Sequence, residues 1–168
     1  TRHGIAFIPE GRRIFASLSV EENLLLGQTI HRKNAESRRD FERVVHYFPF
    51  LAERLHATAG KLSGGEQQQL AIGRGLLCRP KLMLIDEPSL GLAPMVVDRV
   101  YEILFRLRAE AGLTLLVVEQ SAVRVMRVAD RVYVMRDGQF ELSGTPAEID
   151  AGGKLMEAYF GYRSDAQP

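Results

Sequence analysis

Two short segments of this sequence carry residue types that suit phosphate and metal chemistry. The first reads Leu-Ser-Gly-Gly-Glu-Gln over residues 62–67, and the second reads Leu-Met-Leu-Ile-Asp-Glu-Pro over residues 82–88. A serine that begins a helix and is followed by glycines leaves backbone N–H groups open to a phosphate. Paired carboxylates at the end of an apolar strand suit Mg²⁺ and a reacting water. Together the two segments indicate half of an ATP site.

The first segment could also be plain structure, because Ser63 and Glu66 have the spacing of a helix capping box. A glycine in the first turns of a helix, however, costs up to about 1 kcal/mol relative to alanine, and Gly64 and Gly65 stand side by side. This cost implies that something requires a bare backbone there. A phosphate that approaches the positive end of the helix is such a requirement.

The second segment places Asp86 and Glu87 at the carboxyl end of a predicted strand, the edge where ligands bind in parallel α/β sheets. We expect Asp86 to hold Mg²⁺, directly or through water. We expect Glu87 to accept a proton from a water aligned on the γ-phosphate. Such a pair can also merely begin a loop before Pro88. The helix before the pair and the apolar strand after it favour the functional interpretation.

No part of the sequence reads G-x-x-x-x-G-K-S/T, the loop that holds the nucleotide in sites of this kind. The chain begins at Thr1, and residues 4–8 already have the pattern of a buried strand with little before it. We therefore expect a fold that is incomplete at its N-terminus. A truncated chain that is inactive on its own is one alternative.

Composition predicts a globular chain with a real core, since 46% of the residues are hydrophobic and 26% are charged. The formal net charge of +1 gives no reason to expect a nucleic-acid partner. The single cysteine fits a reducing compartment. No apolar run approaches the roughly 20 residues that span a bilayer, so we expect a cytoplasmic location.

The order of the predicted elements is typical of an α/β fold with a parallel sheet whose faces are covered. A strand at residues 4–8 precedes a polar, largely helical segment at 19–60, in which Pro49 stops a helix. The later predicted elements are a helix at 64–78, a strand at 81–85, a helix with Val96, Val100, Ile103, Leu104 and Leu107 on one face, a strand at 113–118, and a hairpin at 131–143 around Asp137-Gly138.

These segments in this order closely resemble the nucleotide-binding subunit of ATP-binding cassette (ABC) transporters, over essentially the whole chain. The resemblance implies a P-loop NTPase-like (RecA-like) parallel sheet core, a helical subdomain and a C-terminal β-hairpin. In that family two chains sandwich two ATP molecules, and the signature of one chain closes on the γ-phosphate held by the other. The implied roles are the signature for Ser63, Gly64, Gly65 and Gln67, the Walker B aspartate for Asp86, the catalytic base for Glu87, and a loop that crosses between the two sites for residues 89–93, which begin with Ser89.

Three positions depart from the usual pattern of that family. Gln120 stands where most members carry a histidine that contacts the γ-phosphate, and glutamine can donate a hydrogen bond without carrying charge. Glu10 stands where the coupling loop usually has a glutamine, and an ionised carboxylate only accepts hydrogen bonds. Ala93 stands where an aspartate is frequent.

Further stretches narrow the resemblance to the ATP-binding subunits of branched-chain amino-acid importers and their urea or amide relatives. They are Pro-Glu-Gly-Arg-Arg at residues 9–13, Val-Glu-Glu-Asn-Leu at 20–24, Ser-Leu-Gly-Leu-Ala-Pro at 89–94, Val-Glu-Gln at 118–120 and Ala-Tyr-Phe-Gly at 158–161. The resemblance implies ATP and Mg²⁺ as cofactors. It also implies transmembrane permease subunits and a second ATP-binding subunit as partners, on the inner face of the cell membrane.

The resemblance predicts a single, partial ABC-type domain over residues 1–168. Its expected parts are a core strand and coupling loop at 1–10, a mainly helical subdomain at 11–62, the signature, Walker B and switch core at 63–150, and a tail at 151–168. The alternative within the same family is a soluble ABC-type ATPase of DNA repair or translation. Such proteins usually carry a long coiled-coil insertion, zinc cysteines or two tandem cassettes, and this sequence has none of these.

Overall fold

The structure, a computed structural model, describes residues 3–29 and 35–150. The chain divides after Glu119 into two compact units. The first contains β1 (Ile5–Ile8), α1 (Val20–Gln28), α2 (Ala35–Tyr47), α3 (Pro49–Glu53), a 3-10 turn (Ala59–Lys61), α4 (Gly64–Leu76), β2 (Leu82–Asp86), α5 (Pro94–Ala111) and β3 (Thr114–Val118). The second contains α6 (Ala122–Met126), β4 (Val132–Arg136), β5 (Gln139–Gly144) and α7 (Pro146–Asp150). Within these ranges no helix has the length and apolar character needed to cross a membrane.

A three-stranded parallel sheet in the order β1-β2-β3 forms the centre of the first unit. Parallel neighbours require a crossover, and the helices α4 and α5 supply the last element before β2 and β3 respectively. The register places Ile8 beside Ile85 and Asp86 beside Val118, so the carboxyl ends of all three strands share one edge. The predicted parallel α/β core is confirmed. The strand β2 is shifted by one residue at each end from the predicted 81–85, and β3 begins one residue later than predicted.

The two faces of this sheet differ in their burial. On one face Ala6, Ile8, Met83 and Ile85 are buried in a single core with apolar side chains of α4 and α5. The sheet was expected to have both faces covered, and in the described ranges this holds for one face only. The opposite face exposes between 40% and 59% of Ile5, Phe7, Leu116 and Val118.

A buried amide holds the loop between β1 and α1. Asn23 is fully buried, and its side-chain nitrogen donates to the carbonyl oxygens of Phe15 at 3.0 Å and Ser19 at 2.9 Å. Its side-chain oxygen accepts from the backbone N–H of Phe15 at 2.9 Å. A buried polar group is stable only when it is hydrogen-bonded, so Asn23 gives this irregular segment a definite shape.

The helices α1 and α4 cross closely at Gly27. A Cβ atom at this position would lie 2.2 Å from the backbone oxygen of Arg74 and 3.0 Å from Cβ of Leu77. One turn earlier on the same face of α1, Leu24 is fully buried. The absence of a side chain at Gly27 therefore lets the helical segment pack directly against the helix that covers the sheet. Further along this segment α2 ends at Tyr47, and Pro49 opens α3, as expected of a proline that stops a helix.

The second unit is built on the predicted hairpin of β4 and β5, which pair in antiparallel fashion. Asp137 and Gly138 form its turn, and both have left-handed backbones, with φ of 48° and 77°. A two-residue turn of this type matches the twist of the strands that it joins. Val134 of β4 and Ile149 of α7 are buried. The predicted tail at residues 151–168 lies outside the described residues.

We expect Gly27→Ala to lower the free energy of unfolding by roughly 3 kcal/mol, because the added methyl group meets a backbone carbonyl that cannot rotate away. Urea unfolding followed by circular dichroism measures this loss. Leu25→Ala is the matched control on the same helix, since Leu25 is 40% exposed, and its cost should stay below about 1 kcal/mol. Equal losses in the two variants would contradict the close approach of α1 and α4.

Candidate functional site

The signature segment forms the N-terminus of α4. Ser63 is the N-cap, its Oγ accepts from the backbone N–H of Glu66 at 3.4 Å, and its own N–H donates to Oε2 of Glu66 at 2.8 Å. These hydrogen bonds lower the pKa of Glu66. The bond with the Ser63 side chain has the larger effect, and the bond with the Ser63 backbone adds to it. The capping box that the spacing suggests is therefore present. It coexists with an exposed Ser63 side chain at the positive end of a helix.

The two glycines of the signature have different surroundings. A Cβ atom on Gly65 would lie 2.2 Å from Cγ1 of Val96, so α4 and α5 pack together through this position. A Cβ atom on Gly64 would lie 3.0 Å from Nη2 of Arg12 and 3.2 Å from a methyl group of Leu92. Helix packing is thus a sufficient reason for the bare backbone at Gly65. Gly64 faces a movable guanidinium and remains compatible with the approach of an anion.

Arg12 connects the loop after β1 to the signature helix. Its Nη1 donates to Oε1 of Gln67 at 3.4 Å, while Nε2 of Gln67 donates to the carbonyl oxygen of Leu62 at 3.0 Å. Arg12 and Arg13 both have left-handed backbones, with φ of 67° and 45°. Nη2 of Arg74 donates to the carbonyl oxygen of Arg13 at 2.8 Å and so fixes the far end of this turn.

Glu10 lies in the same loop, just beyond the carboxyl end of β1, and is exposed. Since β1 pairs in parallel with β2, Glu10 follows a strand that ends at the same sheet edge as the strand carrying Asp86. The backbone of the turn that follows is closed by a hydrogen bond from the N–H of Arg12 to the carbonyl oxygen of Pro9 at 3.2 Å.

Asp86 is the last residue of β2, and its partly buried carboxylate has no hydrogen-bond or ion-pair partner among residues 3–29 and 35–150. A carboxylate of this kind fits a hard cation. Mg²⁺ at nucleotide sites is usually held by one or two carboxylates together with phosphate oxygens and waters. Within the described ranges no three His, Cys, Asp or Glu side chains are grouped as a metal site.

Glu87 has an unusual backbone for a residue with a side chain, since its φ is +48°. Its N–H donates to the carbonyl oxygen of Val118 at 2.9 Å, and its own carbonyl oxygen accepts from the N–H of Leu90 at 3.1 Å. The left-handed conformation costs free energy for non-glycine residues and persists where the surroundings impose it. The chain therefore turns sharply immediately after the metal-suited carboxylate.

Glu119 binds the start of the loop at residues 89–93. Its Oε1 accepts from the N–H of Ser89 at 3.1 Å and from the hydroxyl of Tyr101 at 2.9 Å, and its Oε2 accepts from Oγ–H of Ser89 at 2.9 Å. Neither Glu119 nor Arg12 is among the site residues that the sequence predicts. A signal was present for Glu119, because it is a carboxylate that directly follows an apolar strand.

Gln120 is the first residue of the second unit. Its side chain is exposed, and its carbonyl oxygen accepts from the N–H of Ala122 at 3.1 Å, just before α6. It follows Glu119 directly along the chain. The first unit thus brings Asp86, Glu87 and Ser89 to one sheet edge, together with Glu119.

A parallel sheet with two carboxylates at the end of a central strand and a capped, glycine-led helix defines a nucleotide-binding α/β protein. Comparison with known families agrees, because the ABC transporter family matches residues 1–90. The chain belongs to the ABC transporter ATP-binding family, a family of ATPases.

Individual relatives extend the likeness over most of the chain. The chain is 46% identical over 160 residues to BraG of Pseudomonas aeruginosa, a high-affinity branched-chain amino acid transport ATP-binding protein, covering 95% of this chain and 68% of BraG. It is 33% identical to LivF of Archaeoglobus fulgidus, a probable branched-chain amino acid transport ATP-binding protein, covering 89% of this chain and 63% of LivF. It is 32% identical to the lipopolysaccharide export ATP-binding protein LptB of Escherichia coli, covering 95% of this chain and 66% of LptB.

The fold is likewise that of solved ABC cassettes. The ADP conformation of MJ1267, an ATP-binding cassette of an ABC transporter, superposes with a TM-score of 0.79 at 26% identity, covering 95% of this chain and 69% of that one. A nucleotide-free ATP-binding cassette from an ABC transporter gives a TM-score of 0.77 at 26% identity, covering 95% of this chain and 70% of that one. The chain thus spans about two thirds of the length of the proteins that it resembles.

The two signature glycines provide a matched pair of variants. We expect Gly65→Ala to destabilise the fold by about 2 kcal/mol, because the methyl group overlaps the β-branched Val96. Gly64→Ala should change stability by less than about 1 kcal/mol, since only the end of the Arg12 side chain must move. Thermal or urea unfolding of both variants measures the difference. Equal stability of the two variants would refute the packing explanation for Gly65.

Proposed function

We propose that this chain acts as the ATP-binding and ATP-hydrolysing subunit of an ABC importer that takes up branched-chain amino acids. It works on the inner face of the membrane with transmembrane permease subunits and a second ATP-binding subunit. The observation that carries the proposal is the placement of Asp86 and Glu87 at the carboxyl end of β2, next to the end of β3. The identity of 46% to BraG supports the solute class.

Asp86 and Glu87 have different tasks in this proposal. The carboxylate of Asp86, which has no partner within the described ranges, would hold Mg²⁺, and the ion would neutralise charge on the transferring phosphate. Glu87 would orient a water and accept its proton. The left-handed backbone of Glu87 directs the chain away from the strand immediately after Asp86. The two adjacent carboxylates therefore need not point to opposite faces of the sheet, as successive strand residues do.

The signature would act on a nucleotide carried by the partner subunit. Ser63 and Gly64 present a hydroxyl and backbone N–H groups at the positive end of α4. Gly65 permits the packing of α5 behind this end, and Gln67 holds Arg12 beside Gly64. The guanidinium of Arg12 adds positive charge to a surface that would face phosphate oxygens.

The loop residues would connect hydrolysis with transport. Glu10 lies exposed beyond β1 in the loop that Asn23 and Arg74 hold in shape, and this loop would contact the permease subunits. Ser89 opens the loop that would cross to the second nucleotide. Gln120 would donate a hydrogen bond to the γ-phosphate without adding charge.

Branched-chain amino acids are preferred as the solute because of the sequence identity to BraG. This identity is 46%, against 35% to the molybdenum import protein ModC of Rhodopseudomonas palustris and 33% to LivF, so BraG alone supports the preference. The solute itself would pass through the membrane subunits and not through this chain. The assignment therefore depends on likeness, and uptake must test it.

Uptake by a strain that lacks the gene for this chain tests the proposal. Loss of radiolabelled leucine uptake, with urea uptake retained, is the expected result. The gene restores leucine uptake when it is returned to the strain, whereas its Glu87→Gln variant should reduce uptake at least about 100-fold, because the base is removed. Glu102→Gln, an exposed change on α5, is the control and should restore uptake fully.

Two results would count against this function. Unchanged leucine uptake in the deletion strain, with loss of urea or amide uptake, would move the chain to another solute. Full restoration by the Glu87→Gln variant would remove Glu87 from the reaction.

Two capping boxes in the described part of the first unit allow the role of Ser63 in function to be distinguished from its role in stability. Ser19 caps α1 with Glu22 in the same way that Ser63 caps α4 with Glu66, so alanine at either position should cost about 1 kcal/mol of stability. Only Ser63→Ala should also lower ATP-driven uptake, by about tenfold or more, because a donor to phosphate is lost. Equal uptake by the two variants in the complemented strain would show that Ser63 serves only as a cap.

A further inference from the structure

We propose that Glu119 is a positioning residue for the reaction: it ties the loop that follows Glu87 to the end of β3 and so sets the direction of the Glu87 carboxylate. This inference rests on the role proposed above for Glu87 as the base. It goes beyond that role because it assigns a function to a residue that need not touch nucleotide, water or metal.

The geometry of Glu119 is that of a clamp. Its two oxygens accept three hydrogen bonds, two from Ser89 and one from Tyr101, at 2.9 to 3.1 Å. Ser89 is 30 residues away along the chain, and Tyr101 is 18 residues away on the buried side of α5. The carboxylate therefore joins the end of β3, the loop after β2 and the helix α5.

Glu87 lies between two attachments to the end of β3. Before the loop, its own N–H donates to the carbonyl oxygen of Val118 at 2.9 Å. After it, Ser89 is held by Glu119, the residue next to Val118. Pro88 between them is buried and has a restricted backbone. With both neighbours fixed, the left-handed φ of +48° at Glu87 has little freedom to relax.

A glutamine at position 119 reproduces this arrangement only in part. Both oxygens of the carboxylate are acceptors that face donors. An amide replaces one of them with a donor, which would face either the N–H of Ser89 or a hydroxyl that must rotate. We therefore expect Glu119→Gln to loosen the loop at residues 88–93 while it keeps the size of the side chain.

Two measurements on the assembled transporter test the proposal. Amide hydrogen exchange of residues 89–93 should be faster in Glu119→Gln than in the wild type, and unchanged in the control Glu102→Gln. The turnover number for ATP should fall by about tenfold to 100-fold with KM for ATP within a factor of two, since a misplaced base slows chemistry without changing nucleotide binding. Ser89→Ala should lower turnover in the same way, and adding Glu119→Gln to it should cause little further loss.

The outcomes separate this proposal from the proposed function. A wild-type assembly that hydrolyses no ATP would overturn the proposed function, whereas the exchange measurement would still report on the clamp. Unchanged exchange in Glu119→Gln would overturn the clamp. Faster exchange with unchanged turnover would overturn the positioning role, as would additive losses in the double variant or a rise in KM that matches the fall in turnover.

Discussion

The parallel pairing of β2 with β3 is the constraint on which the candidate site depends. The register sets Asp86 beside Val118, and the ladder continues one step further through the N–H of Glu87. Because both strands end at the same edge, the residues after each strand meet there. Glu87 and Glu119 are thereby placed by two strand ends that are themselves fixed by the core. The irregular loop after Glu87 therefore begins from a fixed position at the sheet edge.

A second set of contacts does the same for the loop after β1. The buried side chain of Asn23 makes three hydrogen bonds to the backbone of that loop. Arg74 also donates to the carbonyl oxygen of Arg13 in the same loop. Because a fully buried amide must be hydrogen-bonded, the three bonds of Asn23 fix the shape of this loop. Arg12 then connects the loop to Gln67 of α4. A movement at Glu10 would thus reach the signature helix through two side chains, Arg12 of the loop and Arg74 of α4.

The signature shows that one sequence pattern can answer two physical demands. Both glycines lower the intrinsic stability of a helix N-terminus. At Gly65 this cost is offset by the packing of Val96 against the helix backbone, whereas Gly64 has a flexible arginine side chain as its neighbour. This cost alone would assign both glycines to a ligand. The structure divides them, and the capping box at Ser63 likewise serves the helix whether or not a phosphate binds.

By itself the sequence determined the local elements: the apolar strand before Asp86, the cap at Ser63, the hairpin turn at Asp137 and the parallel α/β order. Each follows from residues a few positions apart, whose preferences act without the rest of the fold. Only the tertiary structure decided which distant groups meet, such as Glu119 with Ser89, Arg12 with Gln67 and Gly65 with Val96. It also decided the left-handed turn at Glu87 and the exposed face of the sheet. Each of these contacts joins residues far apart along the chain, so the packing of the helices on the sheet, and no local preference, brings them together.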